Sequence, residues 1–164
     1  MRFRPGIIYV RLAAGYIRSR GHWYGDRDMS VPELATIAEG VLPGGQRWIL
    51  RAGGSREDFY TFLETVHPDG HGDEGGMGGP PLYPGQLLNA YTGCHDRGLL
   101  RVVVRADPRV ARLRLTLATG EDLELAALAT DPGLGVSFFA ALLPRTSDLV
   151  SLTPLDAAGQ PLTP

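Results

Sequence analysis

Residues 111–128 read ARLRLTLATGEDLELAAL. Leu113, Leu115 and Leu117 alternate with Arg112, Arg114 and Thr116, and Leu123 and Leu125 alternate with Asp122 and Glu124. Strict alternation over two short runs separated by a glycine-containing turn is the pattern of a half-buried β-hairpin. With Thr119-Gly120-Glu121 as a three-residue loop, Leu117 faces Leu123 and Leu115 faces Leu125. Arg114 then lies diagonal to Glu124 on the exposed face, a cross-strand ion pair. A one-residue slip would set Leu117 against Asp122, so one register is strongly preferred.

The same texture extends outward from this hairpin. Short apolar runs at 87–92, 99–105, 135–142 and 148–155 are spaced by turn signals in the way of a sandwich or barrel. Upstream, 46–52 is a strand between Gly44-Gly45 and Gly53-Gly54, and 3–12 is a first strand, followed by an irregular stretch over 13–29. Two segments read as helix. Ser30 and Glu33 have capping-box spacing ahead of Leu34, Ile37, Ala38 and Val41, with Gly40 at the end, which predicts a helix over 30–40. Phe59, Phe62, Leu63 and Val66 form a helical stripe over 55–66 that Ser55 could cap, although Phe, Tyr, Thr and Val favour strands. Residues 67–85 hold seven glycines and four prolines, a density that predicts a long loop without regular structure. The expected fold is mainly β, an antiparallel sandwich with one or two short helices. An α+β arrangement is the alternative, and residues 1–164 are expected to form one domain.

Composition narrows the function classes. The chain has 164 residues, a net charge of −2 and 21% charged residues, an ordinary globular balance with no overall attraction to nucleic acid or anionic lipid. All 16 basic residues are arginine. Chemistry that needs a lysine ammonium is therefore excluded: Schiff bases, pyridoxal phosphate anchoring and the P-loop. Cys94 is alone and cannot form an internal disulfide. The apolar run Ile7 to Val10 is too short for a signal peptide or a membrane span, so the cytoplasm is the expected compartment.

The Arg101-Val102-Val103-Val104 run, the Ala106-Asp107-Pro108-Arg109-Val110 corner and the Leu113 to Leu117 alternation carry a resemblance. With Phe138-Phe139, Leu143-Pro144 and the Asp156-Ala157-Ala158-Gly159 turn, residues 99–162 resemble immunoglobulin-like β-sandwich modules of uncharacterised proteins from GC-rich bacteria. The Cys…Trp…Cys arrangement of antibody domains is absent. The resemblance implies binding or scaffolding and carries no site residues over.

The sharpest chemical feature is His67-Pro68-Asp69-Gly70-His71-Gly72-Asp73-Glu74. His67, Asp69, His71 and Asp73 could supply imidazole nitrogen and carboxylate oxygen to zinc or another divalent transition metal, the one cofactor the sequence suggests. Cys94-His95-Asp96 could join them. The alternative is a solvated turn, since Pro-Asp-Gly forms turns readily. Read as a calcium loop from Asp69, the segment puts Glu74 where glycine belongs and Pro80 where the bidentate Glu belongs, so that reading fails. Gly75-Gly76-Met77-Gly78-Gly79 lacks the GxGxxG spacing of a dinucleotide loop and reads as a mobile loop or lid. No serine lies in a GxSxG elbow. Cys94 reads as a small core residue.

Three aromatic residues in loop contexts, Trp23, Tyr24 and Tyr83, are candidate binding residues if exposed and core residues if buried. Arginines and aromatics are interleaved through the first 28 residues, and Arg97, Arg101, Arg105, Arg109, Arg112 and Arg114 form a second basic region. Both have the composition of single-strand nucleic-acid binders, or of solvated faces with acidic neighbours. The expectation is a non-catalytic binding or structural module that engages a protein partner or another copy of itself through its loops. A small metal-dependent enzyme using the His/Asp loop is the alternative, and nucleic-acid binding the third reading.

Overall fold

The computed structural model describes residues 33–94 and 99–164. They form eleven strands: β1 (Ala35–Val41), β2 (Arg47–Gly54), β3 (Phe59–Val66), β4 (Gly72–Met77), β5 (Leu88–Gly93), β6 (Leu100–Ala106), β7 (Arg112–Leu117), β8 (Asp122–Ala126), β9 (Ala129–Asp131), β10 (Val136–Leu143) and β11 (Leu149–Leu155). They pair antiparallel in three sheets, ordered β1-β2-β3-β4, β5-β6-β10-β9 and β11-β7-β8. Among the described residues there is no helix.

The sheets are stacked, and the second lies in the middle. Val103, Phe138, Ala140 and Leu142 of the middle sheet pack with Trp48, Leu50, Phe59 and Leu63 of the first. Their sequence neighbours Val102, Val104, Phe139 and Ala141 pack with Leu113, Leu115, Leu123 and Leu125 of the third. Successive side chains point to opposite faces, so a strand covered on both sides needs apolar residues at nearly every position. That is why β10 reads VSFFAALL and is buried throughout, while β7, covered on one face, alternates.

Both helix expectations are overturned. β1 occupies the second half of the 30–40 segment. A bulge between Thr36 and Ala38 turns both Ile37 and Ala38 toward the first core. Two adjacent inward residues, produced by one inserted residue, imitate the i+3, i+4 pair of a helix. In β3 the inward set is Phe59, Thr61, Leu63 and Thr65, with Tyr60, Phe62, Glu64 and Val66 outward. Buried threonines at two of the four inward positions concealed the alternation. Ser55 does accept from the backbone N–H groups of Glu57 and Asp58, at 3.3 and 3.1 Å, but in a turn that opens a strand.

The expected long loop is also corrected: its centre is β4. Here glycines make room for rings. A Cβ on Gly75 would stand 2.7 Å from the Tyr91 hydroxyl, one on Gly76 would stand 2.0 Å from the Thr61 carbonyl oxygen, and one on Gly78 would stand 3.0 Å from the Tyr60 ring. Tyr91 and Tyr60 occupy the space that side chains at Gly75 and Gly78 would need, while Gly76 lies close against the backbone of Thr61 and Phe62.

The 111–128 hairpin forms with a register two residues from the expected one. Leu115 pairs with Leu123, Leu113 with Leu125 and Arg114 directly with Glu124. A shift of two keeps every leucine on the inner face. It places Ala118-Thr119-Gly120 in the loop: the Leu117 N–H donates to the Glu121 carbonyl at 2.9 Å and the Gly120 N–H to the Leu117 carbonyl at 2.8 Å. The same two bonds close the loops 42–46, 67–71 and 156–160, with Gly45, Gly70 and Gly159 in the place of Gly120. All four glycines have φ between 79° and 87°, the left-handed region that side chains disfavour.

Candidate functional site

The middle sheet reaches the first through two buried arginines. Arg101 and Arg105 share a face of β6 with Val103 and point at the β3–β4 hairpin. Arg101 donates to the Thr65 hydroxyl at 2.8 Å and the Asp73 carbonyl at 3.2 Å, and pairs with the Asp73 carboxylate at 2.7 Å. Arg105 holds backbone instead. Its Nη1 donates to the carbonyls of Phe59, Gly79 and Pro80 at 3.2, 3.2 and 3.3 Å, and its Nη2 to that of Gly78 at 3.2 Å. The guanidinium also stands 5.6 Å from the centre of the Phe59 ring. No acidic side chain among the described residues pairs with it, and burial lowers its pKa to about 10, so it remains charged at neutral pH. The Nε of each arginine is buried without a hydrogen-bond partner, a desolvation cost of about 1–3 kcal/mol each.

The Arg105 clamp fixes the start of the segment that crosses from the first sheet to the second. Leu82 packs against the first core and Leu87 is buried. Between them the Gln86 N–H donates to the Tyr83 carbonyl at 3.0 Å, with Gly85 at φ 79°. Pro84 and Gly85 fit the two central positions of a type II turn, where proline supplies φ near −65° and glycine the positive φ. The Leu87 carbonyl then accepts from the Asp107 N–H at 2.9 Å. The turn is therefore anchored on both sides, and Tyr83 stands at its start, 50% exposed. Two other large apolar side chains are exposed among the described residues: Val41 at the end of β1 and Val150 at the bulge of β11.

The His/Asp segment is a hairpin loop whose parts do not converge. The His67 N–H donates to the His71 carbonyl at 2.8 Å, and the two rings lie 6.4 Å apart by centroid. Asp69 Oδ1 accepts from the His71 N–H at 2.9 Å, so that carboxylate serves its own turn. Asp73 faces inward to Arg101. His67 has Gln46 as a side-chain neighbour at 3.4 Å. Among the described residues no three His, Cys, Asp or Glu side chains form a group able to hold a metal ion. Cys94 is exposed, contrary to the core expectation, while His95 and Asp96 lie outside the described residues.

Trp23, Tyr24 and the N-terminal arginines also lie outside the described residues. Arg97 of the second basic region lies outside the described residues as well, and the five described arginines of that region do not form a basic surface. Arg101 and Arg105 are buried, Arg109 pairs with Asp107 at 2.9 Å, and Arg112 and Arg114 share Glu124 at 3.3 and 3.0 Å. The Arg109 bonds hold the Asp107 carboxyl below its usual range. The clamp by Arg105 was missed by sequence reasoning. Its only sequence signal is an arginine at a position of β6 where both neighbours, Val104 and Ala106, are apolar.

Compared with known proteins, the chain matches no family model, no curated protein and no solved structure. No helix of the described residues is long and apolar enough to cross a membrane.

Proposed function

We propose that the chain is a non-catalytic binding module that presents the Tyr83–Gln86 turn to a protein partner. The observation that carries this reading is the coexistence of exposure and anchoring at Tyr83. A half-exposed aromatic costs little conformational entropy to fix when its turn is already held, and such aromatics are enriched among residues that dominate binding. Pro81 and Pro84 stiffen the same segment. Candidate metal ligands His67, Asp69, His71 and Asp73 enter this reading only as parts of a hairpin loop. The cytoplasm remains the proposed compartment, in keeping with the free thiol of Cys94.

The strand order supports a further part of this reading, that residues 99–162 belong to an immunoglobulin-like sandwich. In sheet order β5-β6-β10-β9 parallels the A-B-E-D order of that plan. Facing them, β7 and β11 take the places of C and F, with β8 beside β7 as C′. The first sheet is an addition to that plan.

The test is capture of proteins from cells by the immobilised chain, comparing the unsubstituted protein with Tyr83→Ser and Val150→Ser. Retention of a partner by the first and third but not the second supports the reading. Equal retention by Tyr83→Ser contradicts it.

A further inference from the structure

The two outer faces of the stack are unlike each other. On the third sheet the Arg112–Glu124 and Arg114–Glu124 pairs stand in the open, with side chains 33–40% exposed. On the first sheet the Arg47–Glu39 pair at the end of β1 is open too, but the Arg51–Glu64 pair at the centre, at 3.1 Å, has side chains only 11% and 27% exposed. Beside it, Ile49 sits in the cross-strand row Glu39–Ile49–Glu64–Glu74 and is 4% exposed. Thr36, paired with Arg51, is buried too, and its Oγ1 and the Arg51 Nε have no hydrogen-bond partner. Tyr60 and Phe62 lie stacked on the same face with centroids 6.1 Å apart. A sheet face open to water keeps its ion pairs wet. Among the described residues, β5 meets this sheet at the β4 edge, and β6 and β10 meet it from the inner face. What covers the outer face is not among them.

We propose that the outer face of the β1-β2-β3-β4 sheet is a docking surface for this chain's own residues 1–32. That segment joins the sheet directly before β1, on the edge of the same sheet, so no long connection is needed. Thirty-two residues exceed the span of any strand of this sheet. The segment's chemistry complements the face. Ile7, Ile8, Tyr9 and Val10 offer apolar cover for Ile49 and the Tyr60–Phe62 pair. Its six arginines against Asp26 and Asp28 give +4, opposite a face on which Glu39, Glu64 and Glu74 outnumber Arg47 and Arg51.

The test uses the full chain with Cys94→Ser and Ile49→Cys. The rate at which a thiol reagent labels Cys at position 49 is measured against Cys94 in the unsubstituted protein. Docking predicts labelling about tenfold slower or more, independent of protein concentration, and a comparable acceleration when Ile8→Asp and Val10→Asp are added. A denaturation midpoint checks that the stack persists in each variant. Should the aspartates prevent folding, Arg2→Gln, Arg4→Gln and Arg11→Gln together provide the second test, with the same acceleration expected. Fast labelling in the full chain overturns the proposal, as does slow labelling that neither set of substitutions changes. Protection that grows with protein concentration overturns it in favour of a second copy of the chain.

Discussion

The Arg101 guanidinium lies 2.7 Å from the Asp73 carboxylate, joining the centre of the middle sheet to the edge strand of the first. The arginine is buried and the aspartate largely so. Removing the arginine takes from the largely buried Asp73 carboxylate its guanidinium partner and from the Thr65 hydroxyl a hydrogen bond. Arg101→Leu is expected to cost about 3–5 kcal/mol. A urea or guanidinium denaturation series would measure it, and a cost near that of an exposed pair such as Arg109–Asp107 would show the contact to be incidental.

Arg105→Met should act differently, because Arg105 holds carbonyls and no carboxylate. It removes a buried charge and the bonds that charge gives to the carbonyls of Phe59, Gly78, Gly79 and Pro80, of which Gly79 still accepts from the Phe59 N–H at 3.1 Å. The expected result is local: amide exchange at Gln86 accelerates, while the Leu117 amide in the β7–β8 loop keeps its rate. Lysine is not an adequate replacement, since one ammonium lacks the planar fork that reaches four acceptors.

The glycines of β4 separate by what stands beside them. Gly76→Ala would set a Cβ 2.0 Å from the Thr61 carbonyl oxygen, a backbone atom, and the strand must move. A loss of about 3 kcal/mol or more is expected. At Gly72 the nearest atoms are 3.9 Å away, and Gly72→Ala should change stability by less than about 0.5 kcal/mol. Thermal or chemical denaturation of the two variants side by side checks this contrast.

Glu74 gives a pH dependence. Burial first, and the Glu64 carboxylate second, raise its pKa above the ordinary carboxyl value of 4.5. The folded state therefore binds its proton more tightly than the unfolded state does. Stability from this group is present below 4.5 and falls as pH rises through the folded value, so at neutral pH the charged carboxylate opposes folding. Glu74→Gln should raise the denaturation midpoint at pH 7, with the difference disappearing well below 4.5. A midpoint lowered by the substitution at pH 7 would mean that Arg51 and Arg101 dominate instead.

Strands that expose one face to solvent were the legible part of the fold. Leu113, Leu115, Leu123 and Leu125 alternate with charged residues, and the hairpin forms on the face they predict, two residues out of register because loop position is not encoded in the alternation itself. The misread segments share a cause. In β1 a bulge, in β3 two buried threonines and in β4 a row of glycines each break the period that sequence reasoning depends on. The candidate site was legible only at Tyr83. Its anchor could not be read, because an arginine followed by an apolar residue looks the same in sequence whether its guanidinium meets water or four carbonyls.

In the proposed function Tyr83 is presented by a turn that Arg105 holds in place. The most direct measurement is partner retention by Arg105→Met, made alongside amide exchange at Gln86 in the same variant. Faster exchange at Gln86 together with retention reduced toward that of Tyr83→Ser is the predicted result. Retention equal to the unsubstituted chain while Gln86 exchange has accelerated would contradict it.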